Sequence, residues 1–430
     1  MSRSQLNLNV PRVLILCMYF FFFATHCVAL FLFRNNFTLA PDEQGYLNVF
    51  RNIYSQPLKG VQDNTGWDGA SDVFLWIVYL PAKMLTLLGI SDLSAIRILS
   101  IGIAALTIVI LVKSSGHFDS PRIHMFAIML FLIPSIFVWT SLGLRESFIY
   151  FFLALFFWSL NSMTNKTTKI KNLNVILLAV SSFGLLSTKN YLWAVVLCCL
   201  FFVTLIKTIQ TRLPVKITFA IVLSIFISIT FYNFTSKNDA LAFVTSLNAS
   251  SLESVSTRIP QVEGTPDLIE STKVDENQKS FTSQFKKVIL GLTANAEILE
   301  THDAKNVPKL YTDNFTAASF SRPFSYVTAS IRFLVSPLVF NPRVSEFILI
   351  ASVESIIWIC LIFFIFWTRV NQKLLGTRSD FTYTLALIVL IAFTLMSAGV
   401  EINLGTAFRH RSILLIPMAF LLLPIRTRKS

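Results

Sequence analysis

Two carboxylates stand side by side at Asp42 and Glu43, and four basic residues, Arg145, Lys189, Arg409 and Arg411, sit in short polar breaks beside long apolar runs. A carboxylate can take a proton from a hydroxyl nucleophile, and fixed cations can hold a phosphate that gains charge as a bond to it breaks. Arginine suits that task because its planar fork engages two phosphate oxygens at once, whereas lysine acts as a point charge. The chemistry this combination fits is transfer of a glycosyl group from a lipid phosphate. Glu146, which follows Arg145, and His410, which lies between Arg409 and Arg411, are supporting candidates. Tyr46, Trp67 and Tyr191 add rings that could stack on a sugar face.

Each residue also has an ordinary reading. Pro41 suits the first position of a helix running to Tyr54, and the dipole of that helix favours Asp42 and Glu43 in its first turn. Arg145 and Glu146 could pair locally, and Lys189 could extend its ammonium to the interface. Arg409 and Arg411 could anchor a helix start, and the three aromatic residues could belong to an interfacial belt. What separates the two readings is the side of the membrane on which these residues fall, and that depends on the helices around them.

The sequence is 54% hydrophobic and 14% charged, with 41 Phe among 430 residues, which is the composition of a polytopic, all-α membrane protein. Apolar runs predict membrane helices near 13–33, 94–112, 123–141, 147–161, 173–188, 192–208, 216–233, 346–367, 381–398 and 412–424. The first lacks a small-residue cleavage site and reads as a span, not a signal peptide. The stretches 73–90 and 325–340 are interrupted by proline and a basic residue, which favours interfacial or partly inserted helices.

With a cytoplasmic N-terminus, the basic segments 113–122, 161–171, 207–216, 368–378 and 426–429 all fall inside, as the positive-inside rule requires. The net charge of +13 is therefore topogenic and does not point to nucleic acid. The outer side then receives the loop 34–93, the tips at Arg145 and Lys189, a polar segment 234–345, and the loop 399–411. Two carboxylates and four cations that obey no topogenic rule thus share one face, as would be needed to place a base beside a polyanion site. Three units follow: an N-terminal transmembrane module with the loop 34–93 (residues 1–233), a large extracytoplasmic loop (234–345), and a C-terminal transmembrane module (346–430).

All five cysteines lie in apolar segments, which argues for packing and against a disulfide framework or a zinc cluster. No His or Cys spacing marks a metal site, and a divalent ion at Asp42 and Glu43 stays open. Membrane lipids surround the bundle. A flippase or other transporter would gather charges near the bilayer midplane within an internal repeat, and no repeat is visible.

The span followed by Pro41, Asp42, Glu43 and Tyr46 resembles the first outer loop of GT-C type glycosyltransferases, which include protein O-mannosyltransferases and lipid A aminoarabinose transferases. Leu80, Leu87, Gly89, Ser94, Ala95, Arg97 and Ser100 resemble the segment that follows in that family, and Thr188-Lys189 a tip in the same relatives. The resemblance covers roughly the first 210 residues. It implies a GT-C-like bundle of about ten transmembrane helices and an outward-facing site in a membrane such as the bacterial plasma membrane. It further implies Asp42 as base, Glu43 in support of it or of the acceptor, and a polyprenyl-phosphate-linked sugar donor. The acceptor would be a glycan, a lipid or a protein, and the transfer inverting. Residues Trp67 to Asp72 stand where many relatives carry Lys-Pro-Pro. Arg409-His410-Arg411 is similar to basic outer-loop motifs of O-antigen polymerases and ligases, the alternative activity.

Overall fold

The computed structural model describes residues 9–32, 46–47, 50, 72–164, 172–211, 215–236, 323–335, 346–374, 381–400 and 404–423. The pair Asp42 and Glu43, Trp67, and nearly all of the loop 234–345 lie outside them. Every element among the described residues is helical: α1 (Asn9–Leu32), α2 (Asp72–Leu87), α3 (Asp92–Ser114), α4 (Pro121–Phe131), α5 (Pro134–Ser141), α6 (Glu146–Thr164) and α7 (Asn172–Thr188). There follow α8 (Asn190–Thr211), α9 (Val215–Ser236), α10 (Pro323–Val335), α11 (Glu346–Leu374), α12 (Phe381–Val400), α13 (Leu404–Ile413) and α14 (Leu415–Leu422).

Five of these contain segments long and apolar enough to cross a bilayer: Arg12–Ala29, Asp92–Ser114, Glu146–Thr164, Asn190–Ile209 and Phe381–Gly399. The pair α4 and α5 adds a sixth if its two halves are one bent span. Shorter apolar helices at Ile77–Leu87, Asn172–Thr188, Ile217–Tyr232 and Ser352–Thr368 complete the bundle. Phe20, Phe201, Phe219, Phe226 and Phe366 are exposed on their helices, which suits hydrocarbon as the surrounding solvent. The protein is an integral, multi-pass, all-α membrane protein.

The run 123–141, read from sequence as one span, is broken. Pro134 has no N–H to donate and its ring obstructs the preceding turn, so the helix stops after Phe131 and restarts at Pro134, turned by 79°. The predicted span 412–424 is also divided: α13 ends at Ile413, and α14 begins beyond a turn at Leu414. The ambiguous stretch 73–90 forms α2, with Pro81 inside it, and packs on α3.

The core is centred on α6, which packs against both α3 and α7, while α7 also meets α9 and α12 meets α8, α10 and α14. Small residues permit the closest approaches. A Cβ on Gly184 of α7 would lie 2.3 Å from the Phe152 ring of α6, so the ring occupies the space a side chain would need. Near the other end of α3 and α6, the Lys113 ammonium sits 4.9 Å from the centroid of Trp158.

Candidate functional site

The turn between α5 and α6 fixes the first pair of charges. Its Gly143 is pressed against α3, where a Cβ would come within 2.7 Å of Ile96 Cγ2. Ser100 of α3 donates its hydroxyl to the Leu144 carbonyl at 3.4 Å. Arg145 and Glu146 therefore emerge at a set height, with Glu146 in the first turn of α6, where the helix dipole favours a carboxylate. Glu146 is fully buried.

A second tip closes on the first. Thr188 ends α7 by returning its hydroxyl to the Gly184 carbonyl at 2.7 Å, and backbone bonds on either side of Lys189 carry the chain directly into α8. Arg145 Nη1 donates to the Thr188 carbonyl at 3.3 Å, joining the two tips. Lys189 is buried, with its ammonium 5.0 Å from the Tyr191 ring centroid.

The third contribution comes from α13. Arg409 Nε donates to Glu146 Oε1, forming an ion pair whose carboxylate is fully buried. The Arg409 guanidinium also lies 5.9 Å from the Trp139 ring of α5. Next to it, His410 Nε2 meets the Tyr191 hydroxyl at 2.9 Å. One turn along α6 from Glu146, the Tyr150 hydroxyl meets Ser412 Oγ at 2.5 Å, so α13 is held against α6 at two levels.

Arg409, Arg145 and Lys189 all act electrostatically on the Glu146 carboxylate. Among the described residues this cluster therefore sets three cations against one carboxylate. His410 adds no positive charge at neutral pH, because burial, reinforced by Lys189 and Arg145, holds its pKa well below the ordinary histidine value.

Arg411 is directed elsewhere. Two residues along a helix amount to a rotation of about 200°, so Arg409 and Arg411 leave α13 on nearly opposite faces. Arg411 Nη2 lies 3.5 Å from Glu354 Oε1 of α11, and both side chains are almost completely buried. Burial pulls the guanidinium down to about 10, against the opposing pull of Glu354, so it remains protonated at neutral pH. Glu354 also accepts the Ser135 N–H and hydroxyl, each at 2.7 Å, and the Trp358 indole N–H at 2.7 Å. Arg411 further donates to the Leu334 carbonyl of α10 at 3.2 Å and lies over Trp358, with 5.6 Å to the ring centroid.

Of the residues singled out from sequence, the structure thus gathers Arg145, Glu146, Lys189, Tyr191, Arg409 and His410, and places Arg411 in a separate buried network. Tyr46 is buried among the core residues. Trp139, Tyr150 and Ser412 were not marked by sequence reasoning, and their types and positions carry no separate signal. Glu354 was also passed over, although a lone acid in the apolar run of α11 is itself a signal. Among the described residues no group of three or more His, Cys, Asp or Glu could hold a metal ion. Comparison with protein-family models, curated proteins and solved structures gave no match.

Proposed function

We propose that the protein is an inverting membrane glycosyltransferase that takes a sugar from a polyprenyl-phosphate-linked donor on the extracytoplasmic side of the membrane, within a GT-C-like bundle. The shorter apolar helices would bring the number of membrane helices toward the ten expected from sequence. The observation that carries the reading is the convergence of Arg145 and Lys189, from two helix junctions, and of Arg409, from α13, on one buried carboxylate.

In this reaction an acceptor oxygen attacks the anomeric carbon while the bond from that carbon to the phosphate oxygen breaks. The bonding electrons pass to the phosphate, which goes from a monoanionic diester to a dianionic monoester, and the acceptor proton passes to Asp42. Arg145, Lys189 and Arg409 hold the phosphate and stabilise the charge that develops there. Glu43 supports the base or the acceptor, and Tyr191, held by His410, offers a ring near the donor.

The test is release of polyprenyl phosphate by the purified full-length protein, supplied with a panel of polyprenyl-phosphate sugars and candidate glycan, lipid and peptide acceptors. Asp42→Asn is expected to lower the rate about 10²–10⁴-fold with unchanged elution and helicity. Retained turnover would remove Asp42 from the mechanism. Arg409→Ala is expected to raise the KM for donor about tenfold or more with little change for acceptor, and the reverse pattern would reassign it. Long repeating products would instead identify a polymerase or ligase, and no release from any donor would overturn the reading.

A further inference from the structure

We infer that Glu354 is a positioning residue for the Arg409–Glu146 pair, acting through the two short helices that its carboxylate holds together. One oxygen of Glu354 takes the backbone N–H of Ser135, at the start of α5, and the other takes the hydroxyl of the same residue. Arg411 of α13 approaches the latter oxygen at 3.5 Å, as does the indole N–H of Trp358 at 2.7 Å. One carboxylate therefore joins α5, α13 and its own helix α11.

Both short helices continue from this junction to the cationic cluster. On α5, Trp139 lies one turn beyond Ser135 and on the same face, where its ring stands beside the Arg409 guanidinium. On α13, Arg409 precedes Arg411 by two residues and projects from the opposite side toward Glu146. The two ends of this connection are thus rigidly related: moving α5 displaces Trp139, and rotating α13 displaces Arg409. On helices as short as α5 and α13, a charged, fully hydrogen-bonded carboxylate adds strongly to the packing that resists either motion. The assignment concerns the placement of Arg409 and holds whichever anion the cluster binds.

The experiment is a double-mutant cycle on the full-length protein in detergent, with Glu146→Gln and Arg409→Gln as the two changes and the unfolding midpoint as readout. It is run in the wild-type background and again in Glu354→Gln/Arg411→Met, which removes the buried charges together. A role confined to holding helices together lowers all four corners of the cycle equally and leaves the coupling between Glu146 and Arg409 intact. Positioning predicts that the coupling falls at least twofold, and an unchanged coupling would overturn the assignment. Ser135→Ala, which keeps both charges and the backbone bond, covers the case in which the paired variant does not fold: it must lower the coupling by a smaller but measurable amount, and an unchanged coupling again refutes the assignment. A parallel arm measures binding of farnesyl phosphate. If the wild type binds it, Glu354→Gln/Arg411→Met must weaken that binding. If the wild type does not, the proposed donor site fails while the coupling still decides the role of Glu354.

Discussion

Among the described residues, two buried ionic clusters meet α13 only two residues apart, and they are built differently. Around Glu354 the described residues supply one carboxylate, one guanidinium, and neutral donors from Ser135 and Trp358. Around Glu146 the described residues bring three cations, Arg409, Arg145 and Lys189, to one carboxylate. A balanced, hydrogen-bonded cluster has no further need of a ligand and acts as a clamp. One in which cations outnumber carboxylates is stabilised by a further anion, whether a carboxylate of the chain or a ligand. Being charged and buried in a membrane protein therefore does not by itself mark a site, and the local balance of charge is the better guide.

This contrast can be broken most directly at Glu354. Glu354→Leu leaves Arg411 buried without its carboxylate and is expected to lower stability by about 3–5 kcal/mol, whereas Glu354→Gln/Arg411→Met stays within about 1 kcal/mol of wild type. Unfolding midpoints in detergent check both. If the single change is as mild as the paired one, the cluster is not a clamp.

The next largest effect concerns Glu146. Glu146→Gln leaves three cations in proximity and is expected to destabilise by about 2 kcal/mol, of which millimolar inorganic phosphate restores about 1 kcal/mol. The same phosphate at matched ionic strength is expected to do nothing for variants at Glu354. Equal rescue at both clusters would erase the distinction between them.

The smallest effect is a pH dependence. The folded protein holds His410 neutral, so below the unfolded value near 6.5 the unfolded chain takes up a proton that the folded chain refuses. Stability therefore falls as pH drops from 7 toward the depressed folded pKa. His410→Gln is expected to flatten that slope, as read from midpoints at pH 7 and 5.5, and an unchanged slope would show that His410 is not held against the cations.

The helices were legible because hydropathy dominates in a membrane protein: each predicted span falls on helical residues, although 123–141 and 412–424 are each divided between two helices. The cations at Arg145, Lys189 and Arg409 stood out for a different reason: the topology expected from sequence puts them on the side where topogenic charge is not needed. Arg411 was grouped with Arg409 because both fall in the predicted outer loop 399–411, although helical phase places them on different faces. Pro134 was visible within the run 123–141, but one proline is tolerated in many membrane helices, and only the tertiary environment determines that this one ends a helix. The proposed base Asp42 and its neighbour Glu43 lie outside the described residues, so their part of the site rests on sequence alone.

The sharp turn between α4 and α5 also bears on how the chain is made. It leaves the Ser135 amide without a helical partner, and the carboxylate that accepts its proton lies 219 positions later in the sequence. Ribosomes deliver the amino-terminal helices first, so the broken segment must reside in the translocon or lipid with a bare peptide group until α11 is inserted. The junction of α5, α11 and α13 can therefore form only when about the last fifth of the sequence arrives.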